Sequence, residues 1–204
     1  MKAPPAAQVT GILLAGGSGS RFRASGGGDK LLHPLADGTP IAVQSLRNLL
    51  AAVPRVVAVV RPGADDLAVR LRDAGADVTV CADAADGMGR TLAHAVRHAG
   101  EAGGYVVALA DMPFIPPDTI RAVAAAIVSG ALIAAPSRDG VRGHPVGFAA
   151  RLGGPLAALA GDAGARELLR QHAAEIALLP TDDPGVLRDI DSVADLPQVP
   201  VGRC

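Results

Sequence analysis

The chain has 204 residues, half of them hydrophobic but only 2 % aromatic, so Ala, Val, Leu and Ile must build its core. That length favours one domain able to bury a substantial core. The formal net charge of −1, with acids and bases mixed along the chain, excludes the strongly basic surface typical of proteins that bind nucleic acid or anionic membranes.

Short apolar runs alternate with longer segments rich in Ala and Leu over the first two thirds of the chain. Continuous apolar runs are typical of strands in a sheet that is covered on both faces. They predict strands at 9–15, 55–60, 76–81, 105–110 and 131–136. The segments between them predict helices at 40–53, 64–75, 89–100 and 116–130. This alternation predicts an α/β fold with a single Rossmann-like, doubly wound, mostly parallel sheet.

The last third of the chain changes character and predicts a mixed C-terminal part. A short strand is predicted at 144–149, and a helix at 162–175 with Asp162 as its N-cap. Two returning strands are predicted at 176–180 ("IALLP") and 185–191 ("GVLRDID"). No internal repeat or linker interrupts the sequence, so we expect residues 1–204 to form one domain.

The cysteines and the N-terminal segment bear on the cellular compartment. Cys81 and Cys204 form no CxxC motif, which argues against a zinc site or a disulfide scaffold and favours the reducing cytoplasm. The first apolar stretch is short and contains Thr10 and Gly11. We therefore expect neither a signal peptide nor a membrane-spanning segment.

A glycine-rich loop follows the first predicted strand, in the sequence "LLAGGSGSRFRASGGGDKLL" (13–32). Glycine lets backbone N–H groups approach an anion closely, and Arg21 and Lys30 add positive charge, so the loop is predicted to bind a phosphate chain. We expect both cations to be exposed with the loop. The loop lacks the dinucleotide-binding fingerprint, because Phe22 stands where that fingerprint has its third glycine or an alanine. It also lacks the Gly-Lys-Ser/Thr sequence of the ATPase-type loop. A flexible surface turn is the alternative interpretation.

Two aspartates are candidate metal ligands. Asp111 follows "YVVALA", and Asp191 ends the segment 185–191. Ligands of open α/β sheets lie beyond the carboxyl ends of the strands, so the pair could share the Mg²⁺ that accompanies a nucleoside triphosphate. Strand alternation makes Asp189 a further candidate. Alternatively, Asp111 only opens the turn "DMPF" and Asp191 only caps "SVADL".

Six motifs, in order along residues 9–196, resemble the MobA-like nucleotidyltransferase family, most closely the molybdenum cofactor cytidylyltransferases. They are "LLAGGSGSRF…DKLL", "GMGRTL", "LADMPF", "RGHPVGF", "GDAGARELL" and "DIDSVADL". The resemblance implies a fold of the nucleotide-diphospho-sugar transferase type. It also implies Mg²⁺-dependent transfer of CMP or GMP from CTP or GTP to the terminal phosphate of molybdopterin or molybdenum cofactor, with release of pyrophosphate. The opening "AGG" is more typical of guanylyltransferases, so the nucleotide stays open.

The resemblance also implies roles for individual residues. Nucleotide binding falls to Leu14, Ala15, Gly16, Gly17, Ser18, Arg21, Lys30, Gly87 and Met88. Arg21, Lys30 and Asp111 are the catalytic candidates, and Asp111 and Asp191 would hold the metal. His144 and Pro145 would face the acceptor; the alternative is that His144 is only a structural histidine before a proline.

Two other functions are compatible with the sequence. The same fold could serve a different acceptor, such as a sugar phosphate, or the chain could be a nucleotide-binding module without catalytic activity. A client molybdoenzyme or its chaperone is a further candidate partner of the enzyme that the resemblance implies.

Overall fold

An eight-stranded sheet forms the centre of the computed structural model, which describes residues 8–162 and 164–197. The strands are β1 Val9–Ala15, β2 Arg55–Val60, β3 Asp77–Val80, β4 Gly104–Leu109, β5 Ile133–Arg138, β6 Val141–Arg142, β7 Val146–Ala149 and β8 Ile176–Pro180. Their order is β3-β2-β1-β4-β7-β5-β6, with β8 paired to β5. β1 is parallel to β2 and β4, whereas β7 is antiparallel to β4 and β5. The predicted mostly parallel sheet with a mixed C-terminal part is confirmed.

Helices cover both faces of this sheet. They are α1 Ser20–Ala24, α2 Ile41–Leu50, α3 Asp65–Asp73, α4 Met88–Ala99, α5 Pro117–Val128, α6 Gly153–Ala157 and α7 Arg166–Gln171. The side chains of β2 alternate between the faces. Val56 and Ala58 belong to the core cluster on the face covered by α2, α3 and α5, whereas Val57 and Val59 belong to the cluster on the face covered by α4, α6 and α7. Each face is therefore buried, as the continuous apolar runs of the sequence indicate.

The order in which the chain adds strands to the sheet reverses at β1. The chain leaves β1 towards β2 through α2 on one face, and it reaches β4, on the other side of β1, through α4 on the opposite face. In open α/β sheets, such a reversal leaves a crevice beyond the carboxyl ends of the two strands, where ligands bind. The loops after β1 and β4 flank this crevice.

The predicted helix at 162–175 is wrong in its extent. α7 begins at Arg166, its N-cap is Ala165 rather than Asp162, and it ends at Gln171. Gly164 has a φ of 56°, a left-handed conformation that interrupts any α-helix, so the helix cannot begin before it.

The predicted strand at 185–191 is also wrong. Its first part lies in a 3₁₀ turn, Pro184–Leu187, and residues 188–191 have no regular secondary structure. Asp183 caps the turn, because its Oδ1 accepts a hydrogen bond from the Gly185 N–H at 2.8 Å. Proline favours this conformation, since its φ is fixed and it has no N–H for a strand ladder.

Two remaining expectations concern single features. Cys81 is buried, and Cys204 lies outside the described residues. Within residues 8–162 and 164–197, no helix has both the length and the apolar character needed to cross a membrane.

Candidate active site

A cavity of about 620 Å³ opens at the β1/β4 crevice. Six residues predicted to bind nucleotide line it, namely Leu14, Gly16, Gly17, Ser18, Gly87 and Met88. Asp111 also lines it, at the end of β4. The side chain of Ala15 packs in the core, and Arg21 and Lys30 are not among the lining residues.

The glycine-rich loop presents backbone to this cavity. The N–H groups of residues 16–18 make no hydrogen bond to the rest of the described chain. A Cβ atom at Gly16 would lie 3.2 Å from Thr91 Cγ2, so the loop runs close to α4 there, whereas Gly17 has open space around it. Gly19 has a φ of 62° and turns the chain into α1. The loop therefore offers a row of free donors, which suits an anion.

Three carboxylates meet at the edge of the cavity. Asp111, Asp189 and Asp191 each offer an oxygen atom, and these atoms lie within 4.8 Å of one another. The Ile190 N–H donates a hydrogen bond to the Asp111 carbonyl at 3.0 Å, which holds the 189–191 segment beside β4. Such hard oxygen donors fit a divalent cation such as Mg²⁺ or Mn²⁺.

Two cations accompany these carboxylates. Lys30 Nζ lies 2.7 Å from Asp111 Oδ2 and 3.5 Å from Asp191 Oδ1, and Arg21 forms an ion pair with Asp191. The Arg21 side chain is 80 % exposed, as expected, but the Lys30 side chain is only 11 % exposed. The expectation that Lys30 would be exposed is therefore wrong. Burial of its ammonium group is compatible with folding because Asp111 neutralises it.

The cavity wall opposite the glycine-rich loop joins two segments that are distant in sequence. Gly87 has a φ of 118°, and a Cβ atom there would lie 2.5 Å from Asp162 Cα. The Gly89 N–H donates to the Gly161 carbonyl at 3.0 Å. This close packing brings Asp162 into the cavity lining together with Met88, which is half exposed.

Several lining residues were not predicted from the sequence to bind a ligand. They are Arg61, Pro62, Ala82, Ala84, Ala85, Thr91, Leu109 and Asp162. Most follow a strand, and their place at the carboxyl edge of the sheet is the signal that could have found them. For Asp162 the signal was the pair of glycine-containing motifs "GMG" (87–89) and "GDAG" (161–164), since glycines permit a close approach of two backbones.

His144 and Pro145 are not among the residues that line the cavity. The His144 N–H donates to the Val186 carbonyl at 2.9 Å, and its Nδ1 atom is buried without a hydrogen-bond partner in the described part of the chain. Burial lowers the pKa of His144 below its ordinary value, and the carboxylates of Asp111 and Asp189 oppose that effect. The imidazole is therefore neutral near pH 7 and close enough to Asp111 and Asp189 for their charge to act on it.

Known proteins resemble this chain in sequence over most of its length. The family model for the MobA-like NTP transferase domain matches residues 11–176. Nicotine blue oxidoreductase of Paenarthrobacter nicotinovorans is 30 % identical over 195 residues, which cover 92 % of this chain and 94 % of that protein. A molybdenum cofactor guanylyltransferase of Burkholderia ambifaria is 35 % identical over 131 residues, which cover 62 % of this chain and 60 % of that protein.

A solved structure shares nearly the whole architecture. The crystal structure of Rv0371c from Mycobacterium tuberculosis superposes with a TM-score of 0.79 at 28 % identity, and the match covers 94 % of this chain and 96 % of that one. The same protein in complex with manganese superposes with a TM-score of 0.73 at 27 % identity, covering 92 % of this chain and 95 % of that one.

Proposed function

Because the chain belongs to the MobA-like NTP transferase family, we propose that it transfers CMP or GMP from CTP or GTP to the terminal phosphate of molybdopterin or molybdenum cofactor. The observation that carries the proposal is the row of N–H groups at residues 16–18, which have no partner within residues 8–162 and 164–197, beside three carboxylates at the β1/β4 crevice. The cavity, about 620 Å³, is within the ~300–1,000 Å³ typical of small-molecule sites.

The reaction needs alignment and charge neutralisation more than a protein nucleophile. A phosphate oxygen of the acceptor attacks the α-phosphorus of the nucleotide, and the bond to pyrophosphate breaks. The acceptor is already an anion, so no general base is required. The free N–H groups of residues 16–18 and the Arg21 guanidinium would bind the triphosphate and stabilise the departing pyrophosphate.

Asp111, Asp189 and Asp191 would hold the divalent cation, for which Mg²⁺ is our proposal. Bound there, the cation supplies charge neutralisation at the α-phosphate. Lys30 would keep Asp111 and Asp191 together, because its ammonium group contacts both carboxylates. It would also add positive charge beside the triphosphate.

The acceptor side of the site is proposed at His144 and Pro145. Its support is the buried Nδ1 atom of a neutral imidazole near the carboxylates. A neutral ring can exchange hydrogen bonds with a pterin, whereas a charged ring would favour the phosphate alone.

The direct test is release of pyrophosphate, measured with each of the four nucleoside triphosphates and with molybdopterin or its molybdenum form. We expect release with CTP or GTP only when the acceptor is present. Release with a sugar phosphate but not with molybdopterin would favour the other acceptor class. Nucleotide binding without release, with every acceptor tried, would identify a non-catalytic module.

A relative that matches this chain over 94 % of its own length is named an oxidoreductase, so a parallel assay tests this chain for redox activity. The same preparation is mixed with a reduced nicotinamide nucleotide and a dye acceptor, and absorbance is followed. Rapid oxidation of the nicotinamide, together with no release of pyrophosphate, would contradict the proposed transfer.

A further inference from the structure

We propose that Asp195 is a positioning residue for the metal site, because its carboxylate fixes the backbone from which the ligand Asp191 projects. The inference rests on the proposed function, since it takes Asp111, Asp189 and Asp191 as metal ligands. It adds a residue that lies outside the ligand set.

The carboxylate of Asp195 collects three hydrogen bonds on one oxygen atom. Its Oδ2 accepts from the Asp191 N–H at 3.1 Å, from the Ser192 N–H at 2.7 Å and from Ser192 Oγ at 2.9 Å. Hydrogen bonds to an ionised acceptor are stronger than neutral ones. Asp195 therefore fixes the peptide group on the N-terminal side of Asp191 and the one that follows it.

Asp191 needs such support because the chain around it has no regular secondary structure. Residues 188–191 connect the 3₁₀ turn Pro184–Leu187 with a second one, Val193–Asp195. No strand ladder or helix fixes the backbone there, so the side chains and single hydrogen bonds must do so. A divalent cation such as Mg²⁺ demands accurate placement of its oxygen ligands.

Ile190 provides the second support of this segment. Its side chain is fully buried in a cluster with Phe22 and Ile41, and its N–H donates to the Asp111 carbonyl at 3.0 Å. Asp189 and Asp191 therefore flank a residue that is anchored in the core. Ile190 fixes the position of the segment, and Asp195 fixes the orientation of the peptide groups on either side of Asp191.

The turn that carries Asp195 is itself attached to the glycine-rich loop. The Val193 N–H donates to Ser25 Oγ at 3.1 Å, and Ser25 Oγ donates to the Phe22 carbonyl at 2.8 Å. Arg188 Nη2 donates to the Asp195 carbonyl at 2.9 Å. Hydrogen bonds of the turn that carries Asp195 thus connect the metal-ligand segment with the predicted phosphate loop.

A purely structural role for Asp195 makes a different prediction, and Asp37 provides the matched control. Asp37 accepts hydrogen bonds from the Thr39 N–H at 2.9 Å and from Thr39 Oγ1 at 3.0 Å, in an exposed turn that contains none of the three metal ligands. Loss of either carboxylate removes hydrogen bonds of the same kind. Only the loss of Asp195 should change the affinity for a metal.

The experiment titrates Mn²⁺ alone into the full chain by calorimetry, well below the melting temperature, with Asp195→Ala, Asp195→Asn, Asp37→Ala and Asp191→Asn variants. We expect Asp195→Ala to weaken Mn²⁺ binding roughly tenfold or more, as is typical of residues that orient metal ligands. Asp195→Asn retains a neutral acceptor, so it should lose less. Hydrogen exchange at the Asp191 amide should accelerate in Asp195→Ala, with Asp37→Ala unchanged in both measurements.

The outcomes separate this inference from the proposed function. Unchanged Mn²⁺ affinity in Asp191→Asn would remove the metal site itself. Weakened binding in Asp191→Asn with unchanged binding in both Asp195 variants would overturn only the positioning role. Equal weakening in Asp37→Ala and Asp195→Ala would also overturn it, because the effect would then be general destabilisation. Should Asp195→Ala fail to fold, Asp195→Asn and Ser192→Ala carry the same comparison.

Discussion

At the scale of single residues, Arg21 and Lys30 have different surroundings although both are cations of one loop. Arg21 is largely exposed and pairs with Asp191, whereas Lys30 is nearly buried and pairs with Asp111. Exposed ion pairs contribute little to stability, while breaking a buried pair by removing one partner costs about 3–5 kcal/mol. The two side chains therefore contribute differently to folding.

This difference predicts that two variants will differ in melting temperature. Arg21→Ala should leave the melting temperature nearly unchanged and weaken triphosphate binding. Lys30→Met should lower the melting temperature markedly, because Asp111 loses its buried partner. Thermal denaturation and calorimetry with CTP and GTP measure both effects. Equal melting temperatures in the two variants would contradict the assignment of Lys30 to a buried pair.

Two of the three carboxylates, Asp111 and Asp191, should have similar effects on turnover but different effects on stability. Asp111→Asn and Asp191→Asn should each lower turnover roughly 100-fold or more, because each removes a charged ligand worth several kcal/mol in the transition state. Without metal, Asp111→Asn should also destabilise the fold, since it leaves the buried Lys30 less well neutralised. Asp191→Asn should not, because its main partner, Arg21, is exposed to solvent. Normal turnover in either variant at limiting Mg²⁺ would remove that residue from the ligand set.

At the scale of secondary-structure elements, α4 is bounded by two glycines whose positive φ and extended ψ are accessible essentially only to glycine. Gly87 precedes the helix with a φ of 118°, and Gly100 follows it with a φ of 70°. A Cβ atom at Gly87 would meet the Asp162 backbone at 2.5 Å, whereas Gly100 has open space around it. A side chain at Gly100 would therefore meet backbone strain alone, whereas one at Gly87 would meet backbone strain and a steric clash.

Alanine at each glycine tests this distinction. Gly100→Ala should cost about 1–3 kcal/mol of unfolding free energy from backbone strain alone, with unchanged nucleotide affinity. Gly87→Ala should cost more and should weaken nucleotide binding, because the segment around Asp162 must move away from the cavity. Chemical denaturation and calorimetry give the two quantities. Similar results for both variants would mean that the packing of Gly87 against Asp162 does not shape the site.

The contact between α4 and β3 predicts a pH dependence. His94 Nε2 lies 2.8 Å from Thr79 Oγ1, and the pKa of His94 is below its ordinary value of 6.5, first through burial and then through Arg97 and His98. Asp83 opposes this shift. Below pH 6.5 the unfolded chain gains a proton that the folded chain does not, so the stability contributed by neutral His94 is lost as the pH falls towards the lowered value.

His94→Gln should therefore flatten this part of the stability profile. The variant keeps a polar side chain beside Thr79 but cannot titrate. Urea denaturation between about pH 5.5 and 7.5 gives the slope of unfolding free energy for both proteins. A slope equal to that of the unaltered chain would show that His94 does not contribute to the acid sensitivity.

At the scale of the whole molecule, ligand binding at the β1/β4 crevice should stabilise the fold. A ligand present at about 100 times its Kd adds roughly 2.7 kcal/mol, which corresponds to a rise of about 5–10 °C in melting temperature for a domain of this size. We expect this rise with CTP or GTP in the presence of Mg²⁺, and a much smaller one with ATP or UTP. Equal rises with all four nucleotides would contradict selective recognition of the base.

The sequence by itself determined the architecture. Continuous apolar runs and the Ala- and Leu-rich segments between them are local signals. They predict seven of the eight strands, all but β6, and the four long helices within three residues of their observed bounds. β6, α1 and α6 are too short for such a pattern to develop. The irregular C-terminal segment 185–191 contains apolar residues that resemble a strand, and only its packing against Phe22 and Asp111 determines its shape.

In the candidate site, too, some features are visible in the sequence and others depend on the tertiary structure. Glycine clusters and aspartates that follow apolar runs are visible in the sequence, and they predict functional roles for the loop at 13–32, Asp111 and Asp191. Only the tertiary structure decided which groups meet: Lys30 pairs with Asp111 across 81 residues, Asp189 joins the other carboxylates, and Asp162 packs against Gly87. Burial and charge pairing depend on long-range packing, whereas a sequence pattern reports only the local preference of each segment.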